Sequence, residues 1–145
     1  MCGPYFNLKA PKAPAVSGYD IHIYVDELAC GIRKSPERSK KGNDLAEALI
    51  KAIPQAEGPF QVQAGMGPHV LSNVEITIPP ESLSQALTFL QLNNPGLSIL
   101  VHPHTGDEIK DHTDLALWVG PPVLLALNKL TPPRKKTGNP FPRQN

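Results

Sequence analysis

Residues 101–120, VHPHTGDEIKDHTDLALWVG, place three histidines (His102, His104, His112) and four acidic residues (Asp107, Glu108, Asp111, Asp114) ahead of the only tryptophan, Trp118. Imidazole and carboxylate at this density suit either a divalent metal site or a polar loop between a strand and an apolar segment. The spacing of Asp107, Glu108 and Asp111 lacks the EF-hand pattern, so these read as turn and cap residues rather than calcium ligands. Two further histidines, His22 and His69, lie upstream.

The elements that must position them follow from periodicity. YDIHIYVD alternates, with Ile21, Ile23 and Val25 on one face and His22 and Tyr24 on the other. NDLAEALIKAI has Leu45, Leu49 and Ile53 at helical spacing, with Asn43 or Asp44 as cap and Pro54 as terminator. PFQVQA is a short strand. VLSNVEITI alternates again, Val74, Ile76 and Ile78 against Asn73, Glu75 and Thr77. PPESLSQALTFLQLN is a helix with Pro80 in its first turn and a stripe of Leu83, Ala86, Leu87 and Leu90. LSILVH is a strand that sends Leu100 and His102 one way, Ile99 and Val101 the other. Trp118 and VGPPVLLALNKL read as core followed by a short closing helix with Pro122 in its first turn.

Strand, helix, strand, strand, helix, strand is the ferredoxin-like split βαβ order: an α+β sandwich of one antiparallel sheet with both helices on one face. The isoleucines and valines above supply the face the helices need. His22, Glu75 and His102 are left on the opposite face. In this topology the first and third strands are central neighbours and the fourth flanks the first. The three side chains then come from adjacent strands, whose facing Cβ atoms lie ~5 Å apart, within reach of one metal ion. His69, in GPH just ahead of the third strand, can swing onto the same face. Two or three imidazoles with a carboxylate suit Fe(II), Zn(II) or Mn(II). His104 falls on the following loop. His112, between Asp111 and Asp114, reads either as an acid/base whose pKa those carboxylates raise or as a turn residue.

At 145 residues the chain is long enough for a single core, expected over 17–130, with irregular proline-rich tails at 1–16 and 131–145. The basic segment RKSPERSKKGND, residues 33–44, reads as a solvated loop. A net charge of +1 gives no field drawing the chain to nucleic acid or an anionic membrane. No apolar run approaches the ~20 residues of a membrane span, and the first residues lack a signal-like apolar stretch. Two cysteines make no disulfide framework, so a cytoplasmic location with reduced thiols is expected. Phosphate-cradling glycine loops, a serine nucleophile elbow and CxxC are all missing.

YDIHIY, GPH, VEITIP and above all HPHTGDEIKDHTDLALWVG resemble the DOPA 4,5-dioxygenase family, over about residues 19–120. The resemblance implies a ferredoxin-like fold often paired as a homodimer. It also implies extradiol cleavage of a catechol by O2 at non-haem Fe(II), a site that zinc can also fill. From L-DOPA such a reaction gives a seco-DOPA that cyclises to betalamic acid, the betalain precursor, or to muscaflavin. Carried onto this chain, the resemblance makes His22, His69 and His102 the metal ligands and His112 the acid/base. Glu75 is an alternative ligand or backs the ligands, with Tyr24 and His104 in the same supporting or substrate-binding role. A metal- or small-aromatic-binding protein without turnover is the alternative, and a metal-dependent hydrolase or isomerase a third.

Overall fold

The structure is a computed structural model and describes residues 15–132. The tails expected at 1–16 and 131–145 lie almost wholly outside the described residues.

Alternation sends Ile21 and Ile23 of β1 (Tyr19–Tyr24), Val74, Ile76 and Ile78 of β5 (Asn73–Ile78), and Ile99 and Val101 of β6 (Ile99–Pro103) to one face. Leu45, Ala46, Leu49 and Ile53, from α1 (Pro36–Ala52) and its C-cap, pack there together with Ala86 and Leu90 of α2 (Leu83–Asn93). Each such aliphatic side chain, fully buried, contributes roughly 1.5–3 kcal/mol, so this layer is the main stabilising element. The sheet runs β4 (Glu57–Val62), β5, β1, β6, β7 (Leu117–Val119), with every neighbouring pair antiparallel. As expected, β1 and β5 are central neighbours and β6 flanks β1. Register pairs His22 with Glu75 and Asp20 with His102, which brings the polar set of three strands onto one patch.

Three expectations need correction. The basic loop over residues 33–44 is instead the end of a small hairpin, β2 (Asp26–Leu28) with β3 (Ile32–Lys34), followed by the first half of α1. Ser35, not Asn43 or Asp44, is the N-cap: its hydroxyl accepts from Arg38 N at 3.2 Å, and Pro36 opens the helix. The charges that suggested a solvated loop pair along the helix, Lys41 with Glu37 and Lys40 with Asp44. Gly42 is not a breaker. The helix crosses β1's continuation there, and a Cβ would lie 2.5 Å from Val25 Cγ1.

Secondly, the segment at Trp118 is a fifth strand, with Leu100 opposite Trp118. It ends at Gly120, where φ is +80° and a Cβ would strike the Leu97 carbonyl. Pro122 starts no helix; the chain runs irregularly to a 3-10 turn at Leu127–Lys129.

Thirdly, the sheet face bearing His22 and Tyr24, left bare in the expected two-layer sandwich, is partly covered by the chain's own closing segment: Tyr24, Leu71 and Leu100 pack against Ala116, Trp118, Val123 and Leu125. His69 bridges to Leu125, and Ala126 N donates to the Pro68 carbonyl at 2.8 Å. Among the described residues no helix is long and apolar enough to cross a membrane.

Candidate metal centre

Between the helix-free face and its cover lies a cleft of about 600 Å³, lined by His22, His69, His102, His104 and His112 together. His22 and His102 stand on β1 and β6. His69 comes from the turn before β5, and His112 is the C-cap of α3 (Glu108–Asp111). All five histidines are thus brought to one place. The ring centroids of His102 and His112 are 4.0 Å apart, those of His22 and His69 4.1 Å, and those of His22 and His102 5.2 Å.

The outer partners of these rings decide which nitrogen carries the proton. His102 Nδ1 donates to the Pro103 carbonyl at 3.1 Å and His112 Nδ1 to the Glu108 carbonyl at 2.8 Å. A carbonyl only accepts, so in each neutral ring Nε2 is left with a bare lone pair. His22 Nδ1 donates to Asn73 Oδ1 at 2.9 Å, and the Asn73 amide nitrogen is turned to the Leu71 carbonyl. His22 Nε2 is therefore a lone pair too, yet it faces His102 Nε2 at 3.2 Å. Two lone pairs at that distance repel unless a cation lies at them. Among the described residues, ligand atoms of His22, His102 and His112 fall within 4.8 Å of one another. These donors, each oriented by an outer hydrogen bond, fit a divalent transition metal.

His69 differs. Its Nδ1 meets the Tyr24 hydroxyl at 2.8 Å, and it is not in that convergent group. A phenol can donate or accept, so this contact does not fix the His69 tautomer. Tyr24 is fully buried and stacks on Trp118 at 6.1 Å, and burial raises its pKa, so the hydroxyl keeps its proton.

A second convergent group, Asp20, His22 and Glu75, shares His22 with the first. Glu75 Oε2 approaches His22 from the Nδ1 side, at 3.8 Å, which is a backing position. Burial, reinforced by the Asp20 carboxylate, raises the Glu75 pKa. His104 Nε2 sits 2.7 Å from Asp20 Oδ2, and Thr77 donates to the other Asp20 oxygen at 2.6 Å. The carboxylates expected to orient His112 do not: Asp111 is turned onto the Thr105 amide and hydroxyl, and the Glu108 carbonyl holds His112 instead. Asp107 caps α3 by accepting from Lys110 N, as its turn reading required.

Sequence reasoning passed over Asp20 and the role of Asn73. Both were legible in part. Asp20 alternates with His22 on the same strand face, and Asn73 already lay on the polar side of its strand.

Burial drives His69 and His102 down to about 4, with the neighbouring imidazoles adding to the shift, and drives His22 well below its ordinary value. A histidine depressed in the folded state takes up protons more readily when unfolded. Its neutral form contributes stability that is complete above pH ~6.5 and is lost as pH falls from there towards 4. The metal-free protein is therefore expected to lose stability progressively over that window, read as a falling Tm. Protons and metal compete for the same lone pairs, so metal release should occupy the same window. A Tm flat between pH 7 and 4.5 would contradict the buried neutral cluster.

Sheet, cover and imidazole cluster make this an α+β protein with a histidine site fit for a metal. Residues 19–129 match the profile of the Dopa 4,5-dioxygenase family, and the chain belongs to that family. It is 42% identical to the DOPA 4,5-dioxygenase of Amanita muscaria over 65 residues, 45% of this chain and 28% of that protein. Over 133 residues it is 30% identical to an uncharacterised 21.2 kDa protein of Botryotinia fuckeliana, covering 86% of this chain and 69% of the relative. A crystal structure of a candidate dioxygenase from Nostoc punctiforme superposes with a TM-score of 0.68 at 25% identity, covering 79% of this chain and 90% of that one.

Proposed function

We propose that the chain is a non-haem Fe(II) extradiol dioxygenase, carried on a ferredoxin-like split βαβ core, that opens the ring of L-DOPA or a related catechol. The observation that carries this is the pair of facing Nε2 lone pairs on His22 and His102, with His112 beside them. Family membership and the Amanita relative support the reaction class. Iron at this site would supply the Lewis acidity and redox partnership that catechol and O2 chemistry needs.

His22, His102 and His112 would hold it. This exchanges the roles that the resemblance gave to His69 and His112. His112 has its Nδ1 proton fixed by a carbonyl, which suits a ligand. His69 is held only by the two-way Tyr24 hydroxyl, which suits a group that must gain and lose a proton. His69 Nε2 takes the proton of a catechol hydroxyl as the substrate binds and returns it to the opened product. For Nε2 to act as the base, Nδ1 carries the ring's own proton, which it donates to the Tyr24 oxygen before and after the transfer. Asn73, Glu75 and the two backbone carbonyls keep the ligand rings in place. A pure binding protein has no use for a proton-accepting histidine beside the ligands.

The test is oxygen uptake after anaerobic Fe(II) loading and addition of L-DOPA, with the visible spectrum followed for a yellow product. Uptake of one O2 per catechol with that colour is expected. A folded, metal-loaded protein inert to L-DOPA and to other catechols would sink the reading in favour of a binding role.

A further inference from the structure

The proposed reaction accounts for the imidazoles but leaves one charge of the cleft unused. Lys129 is the only lysine or arginine among the described residues that line it. The geometry points to Lys129 as the residue that reads an anionic side chain on the substrate. This inference rests on the catechol reading above and adds a preference within it.

Lys129, at the end of the closing segment, reaches the loop after β4 at Gly65, and Val62, Met66, Pro68 and Leu130 line the same cleft. Its Nζ donates to the Gly65 carbonyl at 2.9 Å, which anchors the ammonium while leaving two of its three donors for a ligand. Elsewhere the cleft lining is acidic, with Asp20, Glu75, Glu108 and Asp111 contributed by the sheet and by the turn holding His112. Away from the metal ligands, an anionic group on the ligand is therefore opposed by carboxylates on the sheet and on the turn holding His112. Among the described lining side chains, only Lys129 brings a lysine or arginine charge to meet it apart from the metal, with apolar Val62, Met66, Pro68 and Leu130 in the same lining to accommodate a ring or short chain. The volume of about 600 Å³ exceeds what a bare catechol fills, so room for a substituent exists. The ligand class is a catechol bearing a carboxylate on a short side arm.

The alternative role is a tether, since the Lys129–Gly65 bond ties the closing segment to the loop that precedes His69. Binding separates the two. Dissociation constants are measured anaerobically by calorimetry on the full chain loaded with Zn(II), using 3,4-dihydroxyphenylacetate as the anionic probe and 4-methylcatechol as the neutral one. Lys129→Met is expected to weaken the anionic probe about tenfold, roughly one well-placed charge pair, and the neutral one less than about twofold. Lys129→Arg should recover most of the difference. Equal weakening of both probes, or of neither, would overturn the assignment and leave Lys129 a tether or a bystander. If neither probe binds the wild-type protein, the catechol reading itself falls and takes this inference with it. Because turnover is not read, an inactive metal does not obscure the result.

Discussion

His102→Ala is expected to abolish both metal retention and catechol cleavage while the helices and sheet persist. His102 is buried at the end of β6 and faces His22 Nε2 at 3.2 Å, so its removal takes away one of the convergent lone pairs. Loss of an outer-shell partner alone costs 10–100-fold in metal affinity or activity, so loss of a ligand should exceed about 100-fold. Asn73→Ala, which frees the His22 ring without deleting a ligand, should fall within that smaller range. The measurements are metal content after dialysis against a weak chelator, oxygen uptake, and far-ultraviolet circular dichroism as the control for folding. A His102→Ala protein that keeps its metal at wild-type affinity would remove the centre from this face. The core is insulated from the change, because Ile99 and Val101 of the same strand point to the helix side.

The second large effect separates His69 from His112. His69→Ala should retain metal within a few-fold of wild type and lose about 10²- to 10⁴-fold in kcat, the usual contribution of a positioned acid or base. His112→Ala should lose the metal as His102→Ala does. Tyr24→Phe should cost less, about tenfold, since it removes one hydrogen bond to His69 and leaves the ring in place. The distinction is geometric. His112 Nδ1 is committed to a carbonyl, so its Nε2 can only accept, whereas His69 faces a hydroxyl that serves either proton state. The reverse pattern, metal lost in His69→Ala and kept in His112→Ala, would return His69 to the ligand set.

How much of this was legible in the chain depends on the length scale of the signal. Period-two alternation placed His22, Glu75 and His102 on one face correctly, because a strand leaves a side chain only two directions and the isoleucines occupied one. The helix before β4 began earlier than its apolar spacing suggested. Ser35 and Pro36 are its true start signals, but the run of charges and Gly42 after them resembled a loop. Charge pairing along a helix and a glycine at a close crossing look like breakers until the neighbouring element is in view. Likewise LWV is too short a run to declare itself a strand, and only the open edge of β6 recruits it.

By itself, then, the sequence determined the order of the four core strands and two long helices, the polar sheet face and the family, since each rests on local spacing or on a contiguous motif. The tertiary structure alone decided what covers that face and which ring nitrogens converge. It also put Lys129 in the same cleft as the histidines. Those depend on contacts between residues 40 to 100 positions apart, such as His22 with Asn73 and with His102 and His69 with Leu125. The acceptors that fix the His102 and His112 tautomers lie one and four residues away, but that of His22 is the distant Asn73, and no spacing along the chain encodes the meeting of the three Nε2 atoms.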